Sequence, residues 1–116
     1  MWIERNYQTT LQQLIKEFPS IVLTGPRQVG KTSTLLKIFP KYNYISLDLP
    51  YNAAQAEESP ENFLDRHGDQ LIIDEVQYAP SLFRYLKYRI DRDRTPGKYL
   101  LTGSQHFSLM DNISDS

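Results

Sequence analysis

The glycine-containing segment at residues 25–32 constrains this chain more than any other feature. It reads Gly-Pro-Arg-Gln-Val-Gly-Lys-Thr and fits the pattern G-x-x-x-x-G-K-[ST] at every fixed position. Gly25 and Gly30 let the backbone curl so that successive N–H groups point inward and form a nest for an anion. Such a loop lies between a strand and a helix, because the positive N-terminal end of the helix adds to the nest.

The sequence on both sides of the loop fits that arrangement. Residues 21–24 are apolar and β-prone, as in a buried parallel strand. Residues 32–39 carry apolar side chains at helical spacing, and Pro40 ends the helix. The alternative is an ordinary strand-to-helix turn with an exposed lysine. The segment predicts a nucleotide-binding loop made of Gly25, Pro26, Arg27, Gln28, Val29, Gly30, Lys31 and Thr32, with Lys31 on the β- and γ-phosphates and the Thr32 hydroxyl on Mg²⁺.

The rest of the chain alternates between helical and strand patterns. Helices are predicted at residues 9–17, 53–58, 60–66 and 81–92, and strands at residues 44–48, 71–73 and 99–102. This alternation predicts an α/β fold with a parallel sheet, in which ligands bind at the carboxyl ends of the strands. We divide the chain into a helical lead-in (residues 1–20), a core (residues 21–105) and a tail (residues 106–116).

Composition excludes several classes of function. With 116 residues the chain suits one domain, and its net charge of −1 gives no overall attraction to nucleic acid or a membrane. It has no cysteine, which excludes disulfides and thiolate metal sites. We find no signal peptide and no apolar stretch of transmembrane length, so we expect a cytoplasmic protein.

A second chemical signature is the pair of acids that follows the apolar residues 71–73. A carboxylate at Asp74 can complete the magnesium shell opposite Thr32. The adjacent Glu75 leaves the strand and is placed to orient or deprotonate an attacking water. The alternative is a pair of exposed acids in a turn.

Other polar residues follow the remaining strands. At the end of residues 99–102, Gly103 permits close backbone approach, and Ser104 or Gln105 could hydrogen-bond the γ-phosphate or the attacking water. Asp48 is either a partner of Glu75 or merely an acid at the end of a strand. Because four strand exits meet at one edge of a parallel sheet, we expect these groups to lie together.

Basic residues and histidines give weaker signals. A cluster of basic residues lies at positions 84–94. Asp91 and Asp93 interrupt this cluster, which favours a solvated helix face. The alternatives are a DNA contact or an arginine supplied to a neighbouring subunit. His67 and His106 have no neighbours that suggest a metal site. The cluster consists of Arg84, Lys87, Arg89, Arg92 and Arg94.

The nucleotide is predicted to be ATP. A guanine-reading Asn-Lys-x-Asp motif is absent, and the acidic strand continues as Asp-Glu-Val-Gln rather than Asp-x-x-Gly, which disfavours a Ras-like GTPase. We therefore expect Mg²⁺-dependent ATP hydrolysis in the intact protein. The alternatives are a nucleotide-binding switch or interaction module without turnover, and a DNA-associated ATPase fragment.

These motifs together resemble the N-terminal part of a prokaryotic AAA-type ATPase family whose members often end in a conserved C-terminal domain. Two segments make the resemblance most specific. They are Pro-Arg-Gln-Val at residues 26–29, between the two glycines of the loop, and Asp-Glu-x-Gln-Tyr-x-Pro at residues 74–80. The resemblance covers nearly the whole chain, at Ile3, Arg5 and residues 23–32, 46–48, 60–64, 72–80, 86–87, 90–91 and 97–105.

The resemblance implies a fold and a set of roles. It implies a three-layer P-loop NTPase with nucleotide and magnesium contacts at Lys31 and Thr32, a metal-shell acid at Asp74, a catalytic base at Glu75 and a sensor-like polar residue at Ser104. In the family the sheet has the order 5-1-4-3-2. We expect strands 1–4 here without the fifth, as in a truncated domain, so that the first strand becomes an exposed edge open to self-association.

Overall fold

A computed structural model describes the protein over residues 5–24 and 31–103. None of the helices in these ranges is long and apolar enough to cross a membrane. In chain order the elements are α1 (Arg5–Leu14), β1 (Ser20–Thr24), α2 (Lys31–Ile38), β2 (Asn43–Ser46), α3 (Pro50–Glu58), α4 (Pro60–His67), β3 (Leu71–Asp74), a 3₁₀ turn (Val76–Tyr78), α5 (Pro80–Arg92) and β4 (Tyr99–Gly103).

The described strands form one parallel sheet in the order β1-β4-β3-β2. This is the predicted order of strands 1 to 4. In the register of the sheet, Thr24 at the end of β1 lies opposite Gly103, and Ser46 at the end of β2 lies opposite Asp74. The strands therefore end along one edge, as the sequence predicts.

Helices cover both faces of the sheet and give it three layers. Successive strand residues point to opposite faces, and the structure accordingly has two apolar cores. One core joins α1 and α2 to Ile72 and Leu100. The other joins α3, α4 and α5 to Ile73 and Leu101. Because β3 and β4 are buried on both faces, their sequences are apolar without alternation.

Three predicted elements differ from the observed ones by two residues or more at an end: α1, β2 and α3, which begins at Pro50 instead of residue 53. The first helix occupies Arg5–Leu14 instead of residues 9–17, since residues 15–17 form a turn closed by a 2.9 Å bond from the Phe18 N–H to the Leu14 carbonyl. The second strand ends at Ser46 instead of residue 48. There the Ser46 Oγ accepts a 3.1 Å bond from the Asp48 N–H and turns the chain out of the sheet.

The amino ends of β3 and β4 are held by a buried lysine. The side-chain amine of Lys98 donates to Asp93 at 2.9 Å and lies 3.5 Å from a carboxylate oxygen of Asp69. Asp93 also accepts bonds from the backbone and hydroxyl of Thr95. These contacts fix the turn that leads from α5 into β4.

Gly97 closes the same turn against the segment that precedes β1. Its φ of 79° lies in the left-handed region. Its N–H donates to the Phe18 carbonyl at 2.9 Å, and its own carbonyl accepts a 2.6 Å bond from the Tyr42 hydroxyl. A Cβ at this position would lie 2.9 Å from the Ile15 carbonyl oxygen, so only glycine fits without a shift.

Candidate functional site

The carboxylate of Asp74 is the centre of a hydrogen-bonded cluster at the carboxyl edge of the sheet. Asp74 ends β3 and is only 7% exposed. Its Oδ2 accepts one bond from the Thr32 hydroxyl at 2.9 Å and another from the Tyr44 hydroxyl at 2.8 Å. Its Oδ1 accepts a bond from the hydroxyl of Thr102. Side chains from α2, β2 and β4 thus meet on one carboxylate.

The contact between Thr32 and Asp74 joins the two motifs that the sequence singled out. Thr32 is the second residue of α2, and Asp74 lies 42 positions further along the chain. The N-terminal end of α2 therefore lies against the carboxyl end of β3. Six loop residues lie outside the part of the chain that the structure describes, as does the side chain of Lys31. The loop residues are Gly25, Pro26, Arg27, Gln28, Val29 and Gly30.

Glu75 has an unusual backbone conformation directly after β3. Its φ of 62° and ψ of 52° are left-handed, which costs a residue other than glycine about 1–3 kcal/mol. The Glu75 N–H donates to the Thr102 hydroxyl at 3.0 Å, and its Oε1 accepts a 2.7 Å bond from the Gln77 amide. Since Asp74 and Glu75 are 7% and 6% exposed, the alternative of exposed acids in a turn is wrong.

Sequence reasoning missed three side chains of this cluster: Tyr44, Thr102 and Gln77. The sequence could have indicated Thr102, because a polar residue in a buried apolar strand must find a hydrogen-bond partner. Tyr44 lies in β2, whose last residue Ser46 is paired with Asp74, but the sequence does not show which tyrosine reaches the acid. Partial burial, and then the bond to Asp74, raise the pKa of Tyr44 to about 12.

The remaining predicted site residues are not part of the hydrogen-bonded cluster that the structure describes. Asp48 is exposed in the turn after β2, and its suggested partnership with Glu75 stays a prediction. Ser104, Gln105 and His106 lie outside the described residues. His67 ends α4 with its ring 4.7 Å from that of Phe63, and burial followed by the nearby Arg66 lowers the pKa of His67.

Four of the five basic residues at positions 84–94 have a local partner, and Arg84 is exposed. Arg89 bonds to Asp65, and Lys87 lies 3.9 Å from Asp91. Arg94 lies 3.5 Å from the same Asp91. The guanidinium of Arg92 lies 4.4 Å from the ring centre of Tyr88. This pattern favours the solvated helix face over a DNA-binding surface, for which free cations are needed.

The chemistry of the cluster fits a hard cation such as Mg²⁺. Magnesium prefers oxygen ligands and binds proteins through one or two side chains, taking its other ligands from water and substrate phosphates. Thr32 and Asp74 supply two such oxygens within 2.9 Å of each other. Within residues 5–24 and 31–103 no group of three or more His, Cys, Asp or Glu side chains forms an all-protein metal cage.

Comparison with known proteins decides the family. A family model described as AAA domain matches residues 17–116. The chain belongs to the AAA domain family. The α/β architecture of this AAA domain is the one that the sequence predicted, and the order of its parallel strands is the one that the family resemblance implied.

Two curated relatives of this AAA domain come from mycobacteria. They are described as uncharacterized proteins of Mycobacterium bovis and Mycobacterium tuberculosis, and each is 31% identical to the chain over 119 aligned residues. The alignment covers 100% of this chain but 27% of each relative. The chain thus spans about a quarter of the length of these relatives.

Proposed function

We propose that this AAA domain binds ATP together with Mg²⁺ and forms the nucleotide-binding core of an ATPase. The observation that carries the proposal is the 2.9 Å bond between Thr32 at the start of α2 and Asp74 at the end of β3. In nucleotide-binding domains one metal ion is held jointly by the helix that follows the phosphate loop and by an acidic residue at the end of a strand. These two groups must therefore lie side by side. Membership of the AAA domain family supports nucleotide binding in general.

The proposed roles follow from the positions of these residues. Residues 25–30 would surround the phosphates with backbone N–H groups, and Lys31 would contact the β- and γ-phosphates. Thr32 and Asp74 would hold Mg²⁺, which when bound neutralises the negative charge of the phosphates. We place this chemistry in the cytoplasm, where MgATP is available.

For hydrolysis we propose Glu75 as the base that orients or deprotonates the attacking water, and Ser104 as a polar residue that contacts the γ-phosphate. The geometry of Glu75 supports this role in two ways. Its costly left-handed backbone is held by a bond to Thr102, and its carboxylate is oriented by Gln77. Backbone strain of this kind is concentrated at functional sites. A carboxylate within reach of a bound water can act as a general base.

Phosphate release from ATP tests the catalytic assignment. Glu75→Gln keeps the size of the side chain but removes its basicity, so we expect the steady-state rate to fall by about 100-fold or more. Glu58→Gln is the matched control, since Glu58 is exposed at the end of α3. An unchanged rate in Glu75→Gln contradicts the base. If the parent binds ATP tightly but releases no phosphate, the nucleotide-binding switch is the better account.

A second proposal concerns self-association through β1. Within the described residues β1 pairs only with β4, and Val22 in its middle is 37% exposed. A groove of about 320 Å³ beside it is lined by Val22, Phe83, Leu86 and Ile90 among others. The groove is also lined by Ser20, Lys87, Asp91 and Arg94, so its surface is mixed. The support for the proposal is therefore the edge of β1, which has no second strand partner among the described residues, since such an edge favours pairing with a second copy. Sedimentation tests this proposal: a concentration-dependent dimer supports it, and a stable monomer at high concentration contradicts it.

A further inference from the structure

Both hydrogen-bonding positions of one Asp74 oxygen are already occupied by side chains of the protein. A carboxylate oxygen has two lone-pair sites. On Oδ2, Thr32 takes one of them and Tyr44 takes the other, at 2.9 and 2.8 Å. Any cation or metal-bound water that uses this oxygen must therefore displace a hydroxyl group or share its position.

The three hydroxyl donors around Asp74 differ in how easily they can leave. Thr102 has none of its surface exposed and also accepts the Glu75 N–H, so its position is fixed. Thr32 is itself a proposed metal contact and stays beside the acid. Tyr44 is the most exposed of the three residues, at 39%, so its hydroxyl is the donor that water can most readily replace.

We infer that Tyr44 is a positioning residue that holds Asp74 before the metal is bound and releases Oδ2 when Mg²⁺ is taken up. This inference rests on the proposed function, because it concerns the same metal site. The Tyr44 hydroxyl orients the carboxylate toward Thr32 in the metal-free protein. It also competes with the cation, and so it raises the Mg²⁺ concentration that ATP binding requires.

Competition between Tyr44 and the cation predicts that loss of the hydroxyl lowers the Mg²⁺ concentration needed for ATP binding. An ordinary structural role of Tyr44 does not predict this decrease. Removing the hydroxyl in Tyr44→Phe removes a bond that metal binding would otherwise have to break. The net effect of one hydrogen bond to a charged group corresponds to about a tenfold change in affinity or more. We therefore expect the half-saturating Mg²⁺ concentration for ATP binding to fall by about tenfold in Tyr44→Phe, while ATP affinity in EDTA stays unchanged.

The experiment measures ATP affinity across a series of Mg²⁺ concentrations for the whole chain. Tyr42→Phe is the matched control, since the Tyr42 hydroxyl donates to the Gly97 carbonyl at 2.6 Å, at the opposite end of the strands. This variant loses the same group but is expected to keep the Mg²⁺ dependence of the parent. If Tyr44→Phe lowers the stability of the fold, its titration and that of the parent are run at a lower temperature, where circular dichroism shows that both proteins are folded.

The outcomes separate this inference from the proposed function. A lowered Mg²⁺ requirement in Tyr44→Phe alone supports the competition. An unchanged or raised requirement, with Mg²⁺-dependent ATP binding intact in the parent, overturns the role of Tyr44 and leaves the proposed function standing. If ATP binding by the parent does not depend on Mg²⁺, or if the parent does not bind ATP, the metal site itself is refuted.

Discussion

Replacing Thr102 by valine tests whether the hydroxyl at the centre of the site holds both acids. Valine has nearly the same shape as threonine but neither donates nor accepts a hydrogen bond. The change removes the bond that Thr102 donates to Asp74 and the 3.0 Å bond that it accepts from the Glu75 N–H. Because all three residues are buried, water cannot replace the lost partners.

The magnitude follows from these two losses. Leaving a buried N–H without a partner costs about 1–3 kcal/mol, and a hydrogen bond to a charged group contributes about 1.5–3 kcal/mol. We expect Thr102→Val to lower the free energy of unfolding by about 3 kcal/mol. Thr102→Ser keeps the hydroxyl and loses one methyl group, which costs about 1 kcal/mol.

Urea unfolding measures the difference between these two variants. At an m-value of about 2 kcal/mol/M, the midpoint of Thr102→Val falls by about 1.5 M and that of Thr102→Ser by about 0.5 M. If valine costs no more than serine, the hydroxyl of Thr102 does not hold Asp74 and Glu75 together.

Two further predictions concern the opposite end of the strands. Gly97→Ala should lower the free energy of unfolding by about 2 kcal/mol or more, because the φ at this position is positive and the Cβ of alanine would press on the Ile15 carbonyl. A urea midpoint equal to that of the parent would contradict this prediction. Hydrogen bonds from Thr95 and then Lys98 lower the pKa of Asp93 far below its usual value. Its stabilisation is therefore fully present above the unfolded pKa of about 4 and is lost as the pH falls through the lower pKa of the folded state. Asp93→Asn should lower the urea midpoint more at pH 7 than at about pH 2, and an equal loss at both pH values would count against the pairing.

The sequence predicted the architecture because the pattern that identifies each strand also says where it ends. Apolar runs such as residues 71–73 can be buried on both faces only in a sheet covered by helices on both sides. The polar residue after such a run must then lie at the carboxyl edge. The position of Asp74 at this edge and of Thr32 in the loop motif therefore predicts that the two residues lie together, as the structure shows.

The parts that could not be predicted depend on side-chain reach and on local backbone geometry. Nothing in the residue types distinguishes Tyr44 from the neighbouring Tyr42, yet one hydroxyl bonds to Asp74 and the other to a glycine carbonyl. The left-handed conformation of Glu75 is also invisible in the sequence, because glutamate rarely adopts it. The bond that the Glu75 N–H donates to the Thr102 hydroxyl, 27 positions further along the chain, holds the backbone in this conformation.

The boundary errors have a related cause. A helix pattern is read from its apolar residues, and the polar residues before Thr9 gave no signal that α1 begins at Arg5. At β2 the side chain of Ser46 competes with the ladder by binding the Asp48 N–H. Such local side-chain bonds to the backbone end strands at positions that propensity alone does not show.

Calorimetric titration of ATP into the parent and into Lys31→Ala, with and without Mg²⁺, tests the central claim most directly. Lys37→Ala is the control, because Lys37 is an exposed lysine in the last turn of the same helix. We predict that the parent binds ATP and binds it more tightly with Mg²⁺. Loss of a charge-assisted contact should weaken binding by about 10- to 100-fold in Lys31→Ala and leave Lys37→Ala unaffected. A parent that does not bind ATP, or equal affinities in all three proteins, would contradict the account.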